Sequence, residues 1–585
     1  MTAADVTAAD RAAADRAAAD RAAADRAAAG GRGPLLVAAA AFLLALLWVA
    51  WVLRFEPWVA HNDFAVMRVS LERALDGHIP TVGTYSRLGV YHPGPLREWV
   101  FVVPYALGGG RAATLPATAL VLNAAWLVAC GWLAVRCGRG GCRIALWAGA
   151  TLLVVGLGPN LASPWNPHLA ILPLYVACWS VTLLWRGRNL SLALLAVASA
   201  SFAGQLHASA LPVAGSLLVC AALLPVVRAL PHLHWRACLP LGFGLALWSG
   251  VLIDLRKLGS SNLVDLVQAG AISTLGIGDA LGLVSRLLWP PTGATGLSIR
   301  PSAASLVGFS RVWFVAFMAG LAGTAWWALR RRNQLKQIAR RGTVPGRDVS
   351  DSDVSDRDVP DRDVSDREAF VELDTVWRGA VVALATLTIA VLTIAAFSPP
   401  PFRYLFGPLQ AVAVFALTAL ACWPIAAFLR RMPERASAAS SAVVFTVLAC
   451  LCVGMFIFVP VDDHESAARR ALGVDAAVTR FLEDHPDWAN IEVVGLDMVG
   501  ASAQDEVVVV AYRAGRNVRS AQFGLHLPSP DGSEPVLAVA MGPSLQCLVA
   551  DPTAQQVLSG LIGESPIGIF GVEAISAGRT GCLGG

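Results

Sequence analysis

Five polar clusters carry most of the residues in this chain that could do chemistry. They are His61-Asn62-Asp63-Phe64, Tyr91-His92-Pro93-Gly94-Pro95, Trp165-Asn166-Pro167-His168, Gln205-Leu206-His207 and Phe402-Arg403-Tyr404. Each stands at or just beyond the end of a long apolar run. Asp63 has the chemistry of a general base toward a hydroxyl, or of a metal ligand; equally, it is a loop acid or a helix N-cap before the amphipathic run Phe64–Leu75. Glu72 and Asp76 read as a solvated helix face. Two prolines and a glycine set His92 on a rigid turn, preceded by Tyr85 and Arg87. Pro167 suits a first helical turn, and helix N-termini attract anions, which places Asn166 and His168 near any anionic ligand. Trp165 either stacks on a sugar or anchors at a membrane interface. Gln205 and His207 sit in a tight hairpin between two apolar runs, a depth at which polar groups face a bundle interior or cavity.

The elements that must position these groups are membrane spans. A span takes about 20 apolar residues, and eleven stretches qualify, at 34–54, 113–135, 143–158, 167–185, 190–204, 207–228, 236–253, 303–329, 377–397, 403–428 and 440–460. Leu96–Leu107 is short and opens on Arg97 and Glu98, which suits an interfacial helix. With the N-terminus inside, Arg136, Arg139, Arg186, Arg188, Arg330, Arg331, Arg332, Lys336, Arg430, Arg431 and Arg435 all fall in cytoplasmic loops. The short loops of the other set hold almost no cation except Arg403, so the positive-inside asymmetry is strong. Arg403, following Pro399-Pro400-Pro401 against that rule, has the features of a phosphate ligand. The expected fold is a polytopic α-helical membrane protein of the plasma membrane with its C-terminus outside.

Composition agrees, with 56% hydrophobic residues, 15% charged and a mean hydropathy of +0.59. A net charge of +4 spread over loops reads as topology and excludes a nucleic-acid surface. The first apolar run lacks a small-residue cleavage site and reads as a retained span. Residues 1–33 carry an Ala/Asp/Arg repeat of period five; each step turns the charge pair about 140° around a helix, so no apolar face forms. Residues 330–376, with an Arg-Asp-Val-Ser/Pro-Asp repeat at 346–368, read as a disordered cytoplasmic loop. Residues 461–585 read as a small extracytoplasmic α/β domain, with a helix at 466–483, strands at 491–496, 506–512 and 536–541, and a second helix at 553–561. Cys547 and Cys582, on the oxidising side, could form a disulfide, whereas Cys137 and Cys142 have no second pair to complete a metal site.

A first span, a long external loop (55–112) with an early acid, an interfacial helix, many further spans and an external C-terminal domain together resemble the GT-C superfamily of integral-membrane glycosyltransferases. The chain is most similar to the bacterial protein-mannosyltransferase and aminoarabinose-transferase-like families. The architectural resemblance covers 34–460, and Arg403-Tyr404-Leu405 followed by Pro408 resembles their Arg-Tyr motif before a late span. Those families often carry Asp-Glu where this chain has Asp63-Phe64, so either one acid suffices or the chain is a diverged or inactive member. The resemblance implies an inverting transfer of a sugar from a polyprenyl-phosphate donor to an extracytoplasmic glycan, lipid or protein. In it Asp63 activates the acceptor hydroxyl or positions a divalent metal (Mg or Mn), Arg403 holds the donor phosphate, and Tyr404 lies near the lipid. His61, Asn62, Tyr85, Arg87, His92, Trp165, Asn166, His168, Gln205 and His207 are substrate-binding candidates from topology alone. Two other classes fit the same spans: a membrane scaffold with an external binding domain, and a transporter or lipid flippase. The spans carry almost no internal charge and show no evident pair of inverted repeats with broken helices, which weighs against transport.

Overall fold

The computed structural model describes most of residues 63–431, with gaps at 85–89, 138–140, 187–188, 230–234, 257–260, 271–275, 289–310, 343–359 and 397–402, together with parts of 39–47 and segments between 477 and 572. The tail 1–33, most of the expected span 440–460, and His61, Asn62, Tyr85, Arg87, Cys547 and Cys582 lie outside the described residues, as do the side chains of Arg403 and Tyr404.

Two helices, α1 (Asp63–Leu75) and α2 (Leu96–Leu107), precede the bundle. α2 buries Leu96, Arg97, Glu98, Phe101 and Tyr105 and leaves Val103 and Leu107 exposed, as a helix lying half in a surface does. Its partner α1 is not a solvated element on its Glu72 side, contrary to expectation. Tyr105 donates to Glu72 at 2.6 Å, and Arg68 donates to Tyr105 at 3.0 Å, so Glu72 belongs to a polar clasp between the two helices.

The bundle follows as α3 (Thr114–Arg136), α4 (Gly141–Leu157), α5 (Asn166–Leu169), α6 (Ile171–Leu184), α7 (Leu190–Leu206), α8 (Leu211–Ala229), α9 (Trp235–Leu247), α10 (Ser249–Leu255), α11 (Asn262–Gly270), α12 (Ile277–Leu287), α13 (Arg311–Gly342), α14 (Pro360–Ala395) and α15 (Gln410–Arg431). Six of these stretches are long and apolar enough to cross a membrane: Thr114–Arg136, Asn166–Leu184, Leu211–Ala229, Val312–Leu335, Phe370–Ala395 and Phe406–Leu429. Gly141–Leu157 and Leu190–Leu206 are shorter apolar helices. The stretch Asn166–Leu184 is fully buried and packs against α3, α4, α7, α8, α14 and α15, which makes it the centre of the bundle. α4 meets α15 closely because Gly149 leaves room: a Cβ there would lie 2.6 Å from a Thr418 methyl.

Four further expectations need correction. The span read as 236–253 is broken, with α9 and α10 bent by 60° around Trp248. The break is stabilised by its neighbour α7: Gln205 donates to the freed Leu247 carbonyl at 2.9 Å, and Trp248 donates to Ser201 at 3.0 Å. The loop 330–376 is helical over 330–342 and again from Pro360 onward. Proline at a helix start favours that second start. In the C-terminal region, 554–562 forms a strand instead of a helix, and 507, 508 and 511 are helical where a strand was expected.

Those C-terminal residues form a mixed sheet of β1 (Asn490–Gly495), β2 (Asn517–Arg519), β3 (Val536–Met541), β4 (Ala554–Ile562) and β5 (Ser565–Val572), in the order β2-β1-β3-β5-β4. β1 runs parallel to β2 and β3, while β5 pairs antiparallel with β3 and β4. Residues 477–484 are helical, within the expected first helix of the region. Pairing of Ile562 with Ser565 across Gly563-Glu564 makes β4 and β5 a two-residue-loop hairpin, a local signal that outweighs the helical spacing of 553–561.

Candidate functional site

One end of the central stretch Asn166–Leu184 gathers the polar clusters. Trp165, extended, precedes α5, and Pro167 fills its first turn. The Trp165 indole N–H donates to Asp63 Oδ2 at 2.6 Å, bridging 102 residues of sequence. Asp63 is exposed and begins α1, so its second oxygen is open to a ligand. His168, one turn on, lies edge-on to Trp165 with ring centroids 5.0 Å apart. It is 5% exposed, and neither ring nitrogen has a hydrogen-bond partner.

Asn166 turns to the other side and accepts from Arg97 Nη1. Arg97 Nη2 donates to Thr84 at 2.8 Å and to Glu98 at 2.5 Å. Arg97 and Glu98 are 4% and 1% exposed, a buried ion pair at the start of α2. Arg97 Nε and Glu98 Oε2 remain without partners. This pair was not among the residues singled out from sequence, where it marked only the polar end of an interfacial helix. Two adjacent opposite charges opening an apolar helix were the available signal, since buried charges pair.

The Tyr91–Pro95 turn is held from three sides. His92 N–H donates to Thr84 at 2.9 Å and Gly83 N–H donates to the His92 carbonyl at 3.1 Å. Asn262 of α11 accepts from Tyr91 N–H at 2.8 Å and donates to the Tyr91 and His92 carbonyls at 3.1 and 3.2 Å. The buried Asp254 caps α11 by accepting from Asn262 N–H at 2.9 Å. On the third side, Gly94 N–H donates to the Gln205 carbonyl at 3.2 Å and Leu96 N–H to the Gln205 side chain at 3.3 Å. A side chain at 94 would collide with Gln205, its Cβ lying 2.6 Å from Cδ. His92 faces His207, ring centroids 5.6 Å apart. His207 Nδ1 lies 2.9 Å from the Ser209 hydroxyl and 3.3 Å from the Ser209 backbone nitrogen, which fixes the ring in the turn after α7. Although His92 keeps part of its surface exposed, burial lowers its pKa well below the ordinary histidine value, and His207 and Arg97 push the same way.

Residues Arg403–Leu409 form a 3-10 turn that packs against α5 and α6, so the backbone of the Arg403-Tyr404 motif reaches the same end of the bundle. Asp63, Trp165, Asn166, His168, His92, Gln205 and His207 are therefore joined by direct contacts, through Arg97, Thr84 and the 90–95 turn. Among the described residues no three His, Cys, Asp or Glu side chains gather to hold a metal. Beside this network, Ser70, Arg73, His78, Thr81, Thr84 and Tyr91 help line a cavity of about 360 Å³ between α1 and the 78–84 loop. That is a usual size for a small-molecule site.

No family model and no curated protein sequence matches the chain. Among solved structures it is similar to the crystal structure of ArnT from Cupriavidus metallidurans in the apo state, with 15% identity over 91% of this chain and 98% of that one and a TM-score of 0.36.

Proposed function

We propose that the chain is a multi-pass membrane glycosyltransferase that moves a sugar from a polyprenyl-phosphate donor to a hydroxyl-bearing glycan, lipid or protein outside the plasma membrane. The observation that carries this reading is the union of polar groups from widely separated parts of the chain at one end of the apolar bundle. In the reaction the acceptor oxygen attacks the anomeric carbon, the bond to the phosphate oxygen breaks, and the phosphate departs with the electron pair. Asp63, exposed and oriented by Trp165, accepts the acceptor proton. Arg403, on the turn packed against α5, balances the charge that develops on the leaving phosphate. Arg97 is a positioning residue: it ties α2 to α5 and to Thr84 on the cavity wall. A lipid-borne donor explains why such a site is set in a membrane bundle.

Purified protein in nanodiscs, offered radiolabelled polyprenyl-phosphate sugars, is expected to transfer label to an acceptor. A panel of donors giving no label above an Asp63→Asn, Arg403→Ala control defeats the proposal. Orientation is tested separately: a cysteine introduced within 346–368 should resist an impermeant label in intact cells, and one within 500–520 should react. Reaction at both positions places the site in the wrong compartment.

A further inference from the structure

The cavity between α1 and the 78–84 loop, about 360 Å³ in volume, has no assigned part in the transfer chemistry. Val66, Val69, Ser70 and Arg73 line it from α1, at the i, i+3, i+4, i+7 spacing of one helix face. Asp63, three residues before Val66, opens that same face. At about 1.5 Å per residue, Ser70 lies on the order of 10 Å and Arg73 on the order of 15 Å along the axis from Asp63. The cavity therefore follows the side of α1 that bears the proposed proton acceptor, displaced toward the last turn of the helix.

Its polar groups are mainly donors. Arg73 stands in the last turn of α1, and among the described residues its guanidinium makes no hydrogen bond or ion pair. The acids nearest to it in sequence, Glu72 and Asp76, are not among the lining residues, and Glu72 accepts from Tyr105. No carboxylate lines the cavity. The 78–84 loop adds His78, Thr81 and Thr84. Thr84 is 6% exposed, and its hydroxyl oxygen already accepts from Arg97 at 2.8 Å, so the hydroxyl proton is left for a ligand. Val66, Val69 and Val82 supply an apolar wall.

These groups select a ligand. Hydroxyls beside an aliphatic wall match a pyranose, which presents a rim of hydroxyls and a C–H face. An unpaired guanidinium fork with no competing acid suits an anion. One fork balances one negative charge, which a sugar carboxylate carries, whereas a phosphate monoester carries about 1.5–2 at neutral pH. The distance of about 15 Å from Arg73 to Asp63 exceeds one sugar ring, so a ligand touching both is a chain of several sugars.

We propose that this cavity binds an acidic oligosaccharide, with a sugar carboxylate at Arg73 and hydroxyls at Ser70, Thr81 and Thr84, and so presents a hydroxyl further along the chain to Asp63. Calling this ligand the acceptor rests on the transferase reading; its binding in the cavity does not. Isothermal titration of the full chain in neutral detergent is expected to detect binding of an oligogalacturonate tetramer, with maltotetraose weaker by about ten-fold or more. Arg73 is exposed and unpaired, so Arg73→Gln should leave the fold intact. It should weaken oligogalacturonate about ten-fold or more, as the loss of a hydrogen bond to a charged group does, and leave maltotetraose unchanged. Ser70→Trp, which fills the cavity, should abolish binding of both. Equal binding of the two tetramers, or oligogalacturonate binding that survives both substitutions, overturns the proposal. Tighter binding of glucose phosphate, or of a peptide bearing serine and glutamate, overturns it as well. In the labelled-donor assay, Arg73→Gln should raise the KM for oligogalacturonate about ten-fold with kcat unchanged. Binding without transfer keeps the cavity's ligand and defeats the transferase reading, whereas transfer to other acceptors without oligogalacturonate binding does the reverse.

Discussion

Trp165 holds Asp63 by a 2.6 Å hydrogen bond from its indole N–H, while the next residue, Asn166, accepts from the buried Arg97. A single helix start therefore fixes both the exposed acid at the head of α1 and the buried cation at the head of α2. Two consecutive residues in an extended-to-helical transition point to opposite sides, which is how one short segment reaches both. The acid keeps one oxygen engaged and one available, the arrangement a proton acceptor needs.

Replacing Asp63 with Asn is expected to lower sugar transfer by about 10²–10⁴ without unfolding the protein. Trp165→Phe keeps the ring against His168 but removes the N–H donor. Losing one hydrogen bond to a charged group should cost about ten- to a hundred-fold in rate. Initial rates of the two variants and their combination decide the point. If Trp165→Phe slows an Asp63→Asn enzyme as much as it slows the wild type, the indole does not act through the carboxylate.

The Arg97–Glu98 pair should be costly to break and cheap to remove. Either single neutral substitution, Arg97→Met or Glu98→Gln, leaves an unpaired buried charge, for which about 3–5 kcal/mol is typical. The double variant Arg97→Met, Glu98→Gln should recover much of that loss in thermal unfolding, yet leave Asn166 and Thr84 without their donor and transfer impaired. A double variant as unstable as the sum of the singles would mean the two charges are held independently.

The apolar runs announce the bundle because spanning helices must satisfy their own backbone, and the polar clusters stand out as exceptions to that apolarity. Arg97 and Glu98 were missed for a related reason: a twelve-residue helix with charged ends is equally at home at an interface or plugged into a bundle, and only its contacts to Asn166 and Thr84 settle which. The bend at Trp248 was illegible because its cause is Gln205, 43 residues earlier, taking the Leu247 carbonyl. β4 was misread because 553–561 has helical spacing, whereas its pairing with β5 arises from the turn that follows.

Gly94 permits the Tyr91–Pro95 turn to lie against α7, with Gln205 bonding both Gly94 and Leu96. Gly94→Ala would force Gln205 aside, and overpacking of this kind costs about 1–3 kcal/mol. The expected result is a lower Tm together with weaker transfer. Gly77→Ala serves as the comparison, since a Cβ there meets nothing within 4 Å although its φ of +92° adds strain. A Gly94→Ala protein as active as wild type would show that the turn can shift without disturbing the site.

His92 sets a pH dependence of defined sign. Burial, with His207 and Arg97 adding to it, favours the neutral imidazole in the folded protein. The unfolded chain then binds the proton first, near the ordinary histidine pKa of about 6.5, so stability is fully present above that value and drains away as pH falls below it. Thermal unfolding should therefore show a Tm drop between about pH 7.5 and about pH 5.5 that is smaller in His92→Gln, which keeps a polar side chain but cannot titrate. His207, facing His92 across 5.6 Å, is coupled to it, so His207→Gln should also reduce the drop and the double variant should fall short of the sum. An acid-induced Tm drop of wild-type size in His92→Gln would assign the effect to other groups and leave His92 as a packing residue of the turn.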